Sequence, residues 1–152
     1  MENKYYTPEI EEFHVGFEYE HLAKGYLWFL NGGGPKDTWM KETFSGGAGQ
    51  DGESEVCELD TLIDDKAVRV KHLDREDIES LGFTQITDDC FNISIKEYRG
   101  RLSQEVRILF RKTILIYLAM DLDLGDKDNL VLFTGTIKNK SELKVLLKQI
   151  GV

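Results

Sequence analysis

The sequence predicts an α+β fold: a mainly antiparallel sheet with a short middle helix at about 75–81 and a C-terminal amphipathic helix at about 140–150. Three observations carry this. Several segments alternate apolar and polar residues with period 2, the mark of half-buried strands. Short polar or glycine-containing loops separate most of them, too short for the helical crossovers a parallel sheet requires. Residues 139–152 carry a full helix specification directly after a strand-like run.

Taken in order, Phe13, Val15, Phe17 and Tyr19 alternate with His14, Gly16, Glu18 and Glu20, which predicts a strand introduced by Pro8. Tyr26 to Leu30 is a short apolar run, ended by Asn31, three glycines and Pro35. Residues 38–44 read as a further strand. Residues 45–65 hold seven acidic and no basic residues with four glycines, so most of that stretch is expected to be an exposed acidic, Gly-rich loop. Residues 67–71 read as a strand. Asp74 caps the short helix and Gly82 ends it.

Phe91, Ile93 and Ile95 alternate again. Residues 104–120 fit two patterns. Val106, Ile108 and Phe110 alternate as in a strand, while Val106, Leu109, Phe110, Thr113, Ile114, Tyr117 and Leu118 also fit a helix face. The β-branched content favours strands. Residues 125–129 form an expected hairpin loop leading into a last strand at 130–137. Asn139 then caps the final helix, with Glu142 completing an N-x-x-E variant of the capping box. Leu143, Leu146, Leu147 and Ile150 make one apolar stripe, Lys140, Lys144 and Lys148 line the other side, and Gly151 stops the helix.

A chain of 152 residues, 41% hydrophobic, is expected to form a single globular domain over residues 1–152. Its net charge of −9 excludes general nucleic-acid binding, because the field repels phosphate. Cys57 and Cys90 have no C-x-x-C spacing, so neither a disulfide framework nor a zinc site is expected. The N-terminal residues have no apolar signal core, and no stretch approaches a membrane span. The expected location is therefore the cytoplasm.

Catalytic motifs are weak throughout. Gly47, Gly49 and Gly52 match G-x-G-x-x-G literally, but the acidic surroundings read as a loop rather than a pyrophosphate cradle. Counted from Asp121, a calcium loop fails where Gly125, Asp126 and Leu132 stand. His14, Glu18, Glu20 and His21 look like ligands. His14 and Glu18 are nevertheless roughly 13 Å apart on a strand, too far for one ion. Glu18 and Glu20 can share a metal only with outside groups, Asp121 or Asp123 being the candidates. Trp28, Trp39, Tyr26, Phe29 and Phe44 flank the Gly-rich turn and are expected mainly in the core.

One segment stands out electrostatically. Lys96, Arg99, Arg101, Arg107, Arg111 and Lys112 are six basic residues offset only by Glu97 and Glu105. On a strand, Arg107 and Arg111 share a face, where guanidinium forks grip phosphate or carboxylate. Pairing with the acidic loop would use the same side chains internally.

Residues 5–20 (Y-Y-T-P-E-I-E-E-F-H-V-G-F-E-Y-E), 68–83 (V-R-V-K-H-L-D-R-E-D-I-E-S-L-G-F) and 135–144 with the helix after it resemble small proteins of gut anaerobic bacteria and their phages. The resemblance covers about a third of the chain. It implies a phage or prophage accessory context and supplies no catalytic residues.

The expected function is a non-enzymatic cytoplasmic binding protein, without cofactor, for a protein partner or a small anionic ligand met by Arg99, Arg101, Arg107 and Arg111. One alternative is a metal-dependent hydrolase using Glu18, Glu20, Asp121 and Asp123. The other is a phage structural or assembly component.

Overall fold

The computed structural model describes residues 4–22, 38–47, 55–98, 102–120 and 129–152. The chain divides into two compact units, Met1–His72 and Leu73–Val152. Both are built mainly on antiparallel sheet, so the α+β class holds. No helix among the described residues is long and apolar enough to cross a membrane.

The first unit holds β1 (Tyr5–Tyr6), a 3₁₀ turn (Ile10–Glu12), β2 (Glu18–Leu22), β3 (Trp39–Thr43), α1 (Glu55–Asp64) and β4 (Val68–Lys71). The strands lie in the order β1-β4-β2-β3 and pair antiparallel. Val68 and Val70 are buried while Arg69 and Lys71 are half-exposed, the period-2 alternation of a sheet with one covered face. Phe17, Tyr19, Phe44, Leu59, Val68 and Val70 form the core of this unit.

Two expectations are corrected here. The period-2 run from Phe13 is not one strand. Gly16 takes φ +91°, the Phe17 amide donates to the His14 carbonyl at 2.8 Å, and the strand starts only at Glu18. Phe13 and Phe17 still meet, ring centroids 4.8 Å apart, so the turn serves the same apolar residues that a strand would have served. Val15, by contrast, is 73% exposed.

The acidic stretch also holds a helix where loop was expected, over residues 55–64, while 48–54 lie outside the described residues. Leu59 is buried, with Leu62 and Ile63 packed beside it, an i, i+3, i+4 stripe that the surrounding acidic residues obscure in the sequence. The helix ends with Lys66 at φ 52°. The Lys66 amide donates to Ile63 at 2.9 Å and the Ala67 amide to Leu62 at 2.7 Å, a Schellman closure with lysine where glycine is usual.

The second unit holds α2 (Arg75–Ser80), β5 (Thr84–Thr87), β6 (Cys90–Tyr98), β7 (Leu102–Leu109), β8 (Ile114–Met120), β9 (Asn129–Gly135) and α3 (Lys140–Gln149). The five strands form an antiparallel meander, each paired with the next. Residues 104–109 and 114–120 are therefore strand, which resolves the ambiguous segment. Phe91, Val106, Ile108 and Ile116 are fully buried on one face, with Ile78 of α2 and Leu143 and Leu147 of α3.

Both helices of this unit are capped. Asp74 accepts from the Asp77 amide at 3.0 Å, and Gly82 at φ +93° follows the helix. Asn139 accepts from the Glu142 amide at 2.9 Å. The Glu142 carboxylate accepts at 2.7 Å from the Lys138 amide, one residue before the expected partner, so the capping box is displaced. The Gly151 amide donates to Lys148 and the Val152 amide to Leu147, closing α3 in a Schellman motif.

Candidate functional site

The expected anion grip rests on Arg107 and Arg111, and the structure gives each a carboxylate partner within its own unit. Arg107 lies on β7, opposite Asn92 of β6 and Tyr117 of β8. Its Nε and Nη2 donate to Glu105 Oε2 at 3.2 and 2.9 Å, two residues away on the same strand face. The Glu105 hydrogen bond raises the guanidinium pKa above its ordinary value. Partial burial opposes this, and a hydrogen bond with Tyr117 adds to it.

Arg111 stands two residues past the end of β7 and is not part of that strand face. Its Nε donates to Asp89 Oδ2 at 2.6 Å, in the turn between β5 and β6. That bond, reinforced by the Thr87 hydroxyl on Oδ1 at 3.1 Å, holds the Asp89 carboxyl below its ordinary pKa. Arg111 remains 64% exposed in its side chain. The two arginines are four residues apart in the chain, and Arg111 lies in the bend that follows the strand. Arg99 and Arg101 lie outside the described residues.

Around Arg107 the sheet has two contrasting faces. The face toward the helices is the buried core. On the other face Leu109, Leu115, Tyr117, Ala119 and Arg107 are each only partly buried, and Val131 is 55% exposed. Apolar, aromatic and arginine side chains thus share one face with Glu105. That mixture is typical of the cores of protein–protein interfaces, where aromatic residues and arginine are enriched.

The candidate metal ligands are dispersed. His14 sits in the turn before β2, and its Nδ1 is 3.1 Å from the Val15 carbonyl. His21 lies on the covered face of β2, buried, with Nε2 3.0 Å from Glu42 Oε2. Glu20 lies on the opposite face and is bonded by Arg69. Asp121 and Asp123 lie outside the described residues, as do residues 48–52 of the glycine motif. Among the described residues no three His, Cys, Asp or Glu side chains come together as a metal-ligand group.

Sequence reasoning missed one constellation. On the open face of the four-stranded sheet, Arg69 donates from Nε to Glu20 Oε2 at 2.8 Å, and Nη2 lies 2.7 Å from the same oxygen. Its guanidinium carbon stands 3.9 Å from the centroid of the Tyr5 ring and 4.0 Å from that of Trp39. Trp39, expected in the core with Phe44, is therefore stacked on this arginine, while Phe44 is buried. Tyr26, Trp28 and Phe29 lie outside the described residues. Four residues from four different strands meet here. Only strand order and register bring them together, and no spacing in the sequence signals it.

Compared with protein-family models, with curated proteins and with solved structures, the chain matches none.

Proposed function

We propose that the chain is a non-enzymatic, cytoplasmic binding protein that docks an acidic protein surface on the open face of its five-stranded sheet. The observation that carries this is the contrast between the two faces of that sheet, one fully buried under helices, the other half-exposed with Leu115, Tyr117 and Val131 beside Arg107. A merely solvated face is dominated by polar side chains. Arg107 and Arg111 are oriented by Glu105 and Asp89, and orienting a guanidinium in advance lowers the ordering cost of a contact. The accessory role in a phage or prophage rests on the resemblance of residues 5–20, 68–83 and 135–144 alone.

The test is a photo-cross-linking residue placed at Leu115 in the full chain, expressed in its native cells. A discrete adduct is expected. It should be lost when Arg107→Ala and Arg111→Ala are combined, with folding stability lowered by no more than about 1 kcal/mol, since part-exposed ion pairs contribute little. A double variant that loses several kcal/mol and still forms the adduct makes these arginines structural and refutes the reading.

A further inference from the structure

We propose that Arg69 anchors a second site, on the open face of the four-stranded sheet, that binds an oxyanion presenting two coplanar oxygens: a carboxylate or a phosphate monoester. This does not rest on the partner docking proposed for the other sheet.

A guanidinium offers five N–H donors arranged as two usable edges. Glu20 occupies the side-on edge of Arg69, with Nε and Nη2 both directed at Oε2. The end-on fork, made by Nη1 and the second Nη2 proton, has no acceptor among the described residues. The side chain is 28% exposed among the described residues. Two parallel N–H donors match the spacing of two carboxylate or phosphate oxygens.

The surroundings prepare Arg69 for such a contact. The guanidinium carbon lies 3.9 and 4.0 Å from the centroids of the Tyr5 and Trp39 rings, and Glu20 fixes its rotation, so the fork is already ordered before any ligand arrives. A cross-strand ion pair alone requires only Glu20 and Arg69, not two aromatic rings against the guanidinium.

Charge also favours an anion. Arg69, Glu20 and Lys41 stand directly opposite one another across β4, β2 and β3. Glu20 neutralises one cation of the row, and the exposed Lys41 restores a net positive charge. Neighbouring strands are about 4.8 Å apart, so a long lysine side chain can close on an anion held over this row.

The test is a titration of the full chain with sodium phosphate and, separately, sodium acetate, against sodium chloride at matched ionic strength. Proton–nitrogen NMR reads the Trp39 indole N–H, assigned with Trp28→Phe, and the Arg69 Nε–H. Saturable shifts of both signals are expected. Saturation by phosphate alone identifies a phosphate monoester site, and saturation by acetate alone a carboxylate site. Arg69→Lys keeps the charge and loses the fork, and should weaken binding by about tenfold or more. Lys41→Gln, at an exposed position, should weaken it by about threefold. Shifts that stay linear and match those with chloride overturn the proposal. So does an unchanged affinity in Lys41→Gln, which decides the matter even where Arg69→Lys does not fold.

Discussion

Leu143→Ala is the sharpest test of the packing in the second unit. Leu143 is 0% exposed, one of the largest side chains in the core formed by α3, α2 and the five-stranded sheet. Removing three buried carbons loses their transfer free energy and leaves a cavity that closes only if its walls move. The core that holds Leu143 includes Val106, Ile108 and Ile116 on central strands, each pinned by pairing on both sides. Little collapse is available, so the cost should lie at the upper part of the roughly 2–5 kcal/mol range. With a urea m-value of about 1–1.5 kcal/mol/M for a unit of this size, a loss of about 3–4 kcal/mol moves the midpoint by roughly 2–4 M. Leu146, on the same stripe but only partly buried, should cost clearly less. The assay is urea unfolding of both variants by far-UV circular dichroism, with hydrogen exchange at β7 and β8 amides. A midpoint unchanged in Leu143→Ala, or an equal loss in Leu146→Ala, would refute the packing described.

Lys66→Gly should stabilise the first unit by about 0.5–1 kcal/mol. Lys66 holds φ 52°, where a Cβ is disfavoured by more than glycine loses in unfolded-chain entropy. A lowered thermal midpoint would contradict this. The Asp89 carboxyl, lowered below 3.8 chiefly by Arg111, contributes stability that is present above the unfolded value and lost as pH falls through the folded one. Arg111→Ala should move the Asp89 titration, followed by carboxyl carbon NMR, back up toward 3.8, and an unmoved titration would break the assignment.

The helix at residues 140–149 is legible because every signal for it is local. The cap at Asn139, the stripe of Leu143, Leu146, Leu147 and Ile150, and the stop at Gly151 lie within one short segment, and the structure has the cap, the stop and a stripe with Leu143 and Leu147 buried and Leu146 and Ile150 partly buried. The same holds for Asp74 and Gly82 around α2. Alternation along residues 91–95 was enough to place a strand, because side chains on a strand repeat every two residues whatever pairs with them, while residues 104–120 needed their β-branched content to tell strand from helix. Two local readings failed for local reasons. Acidic residues around Leu59 masked an amphipathic helix, and period 2 from Phe13 could not reveal the turn at Gly16, whose positive φ breaks the strand while leaving Phe13 and Phe17 in contact.

Composition and short-range pattern thus determined the fold class, the capped helices and the central strands. They also marked Arg107 and Arg111 as a basic exception in an acidic chain. Only the tertiary structure decided what those arginines meet, Glu105 and Asp89, and that Arg111 lies past the end of the strand that carries Arg107. It alone assembled Tyr5, Glu20, Trp39 and Arg69, which come from β1, β2, β3 and β4. The physical reason is that antiparallel pairing places residues by register across strands, and register is set by the buried faces and the turns rather than by separation along the chain.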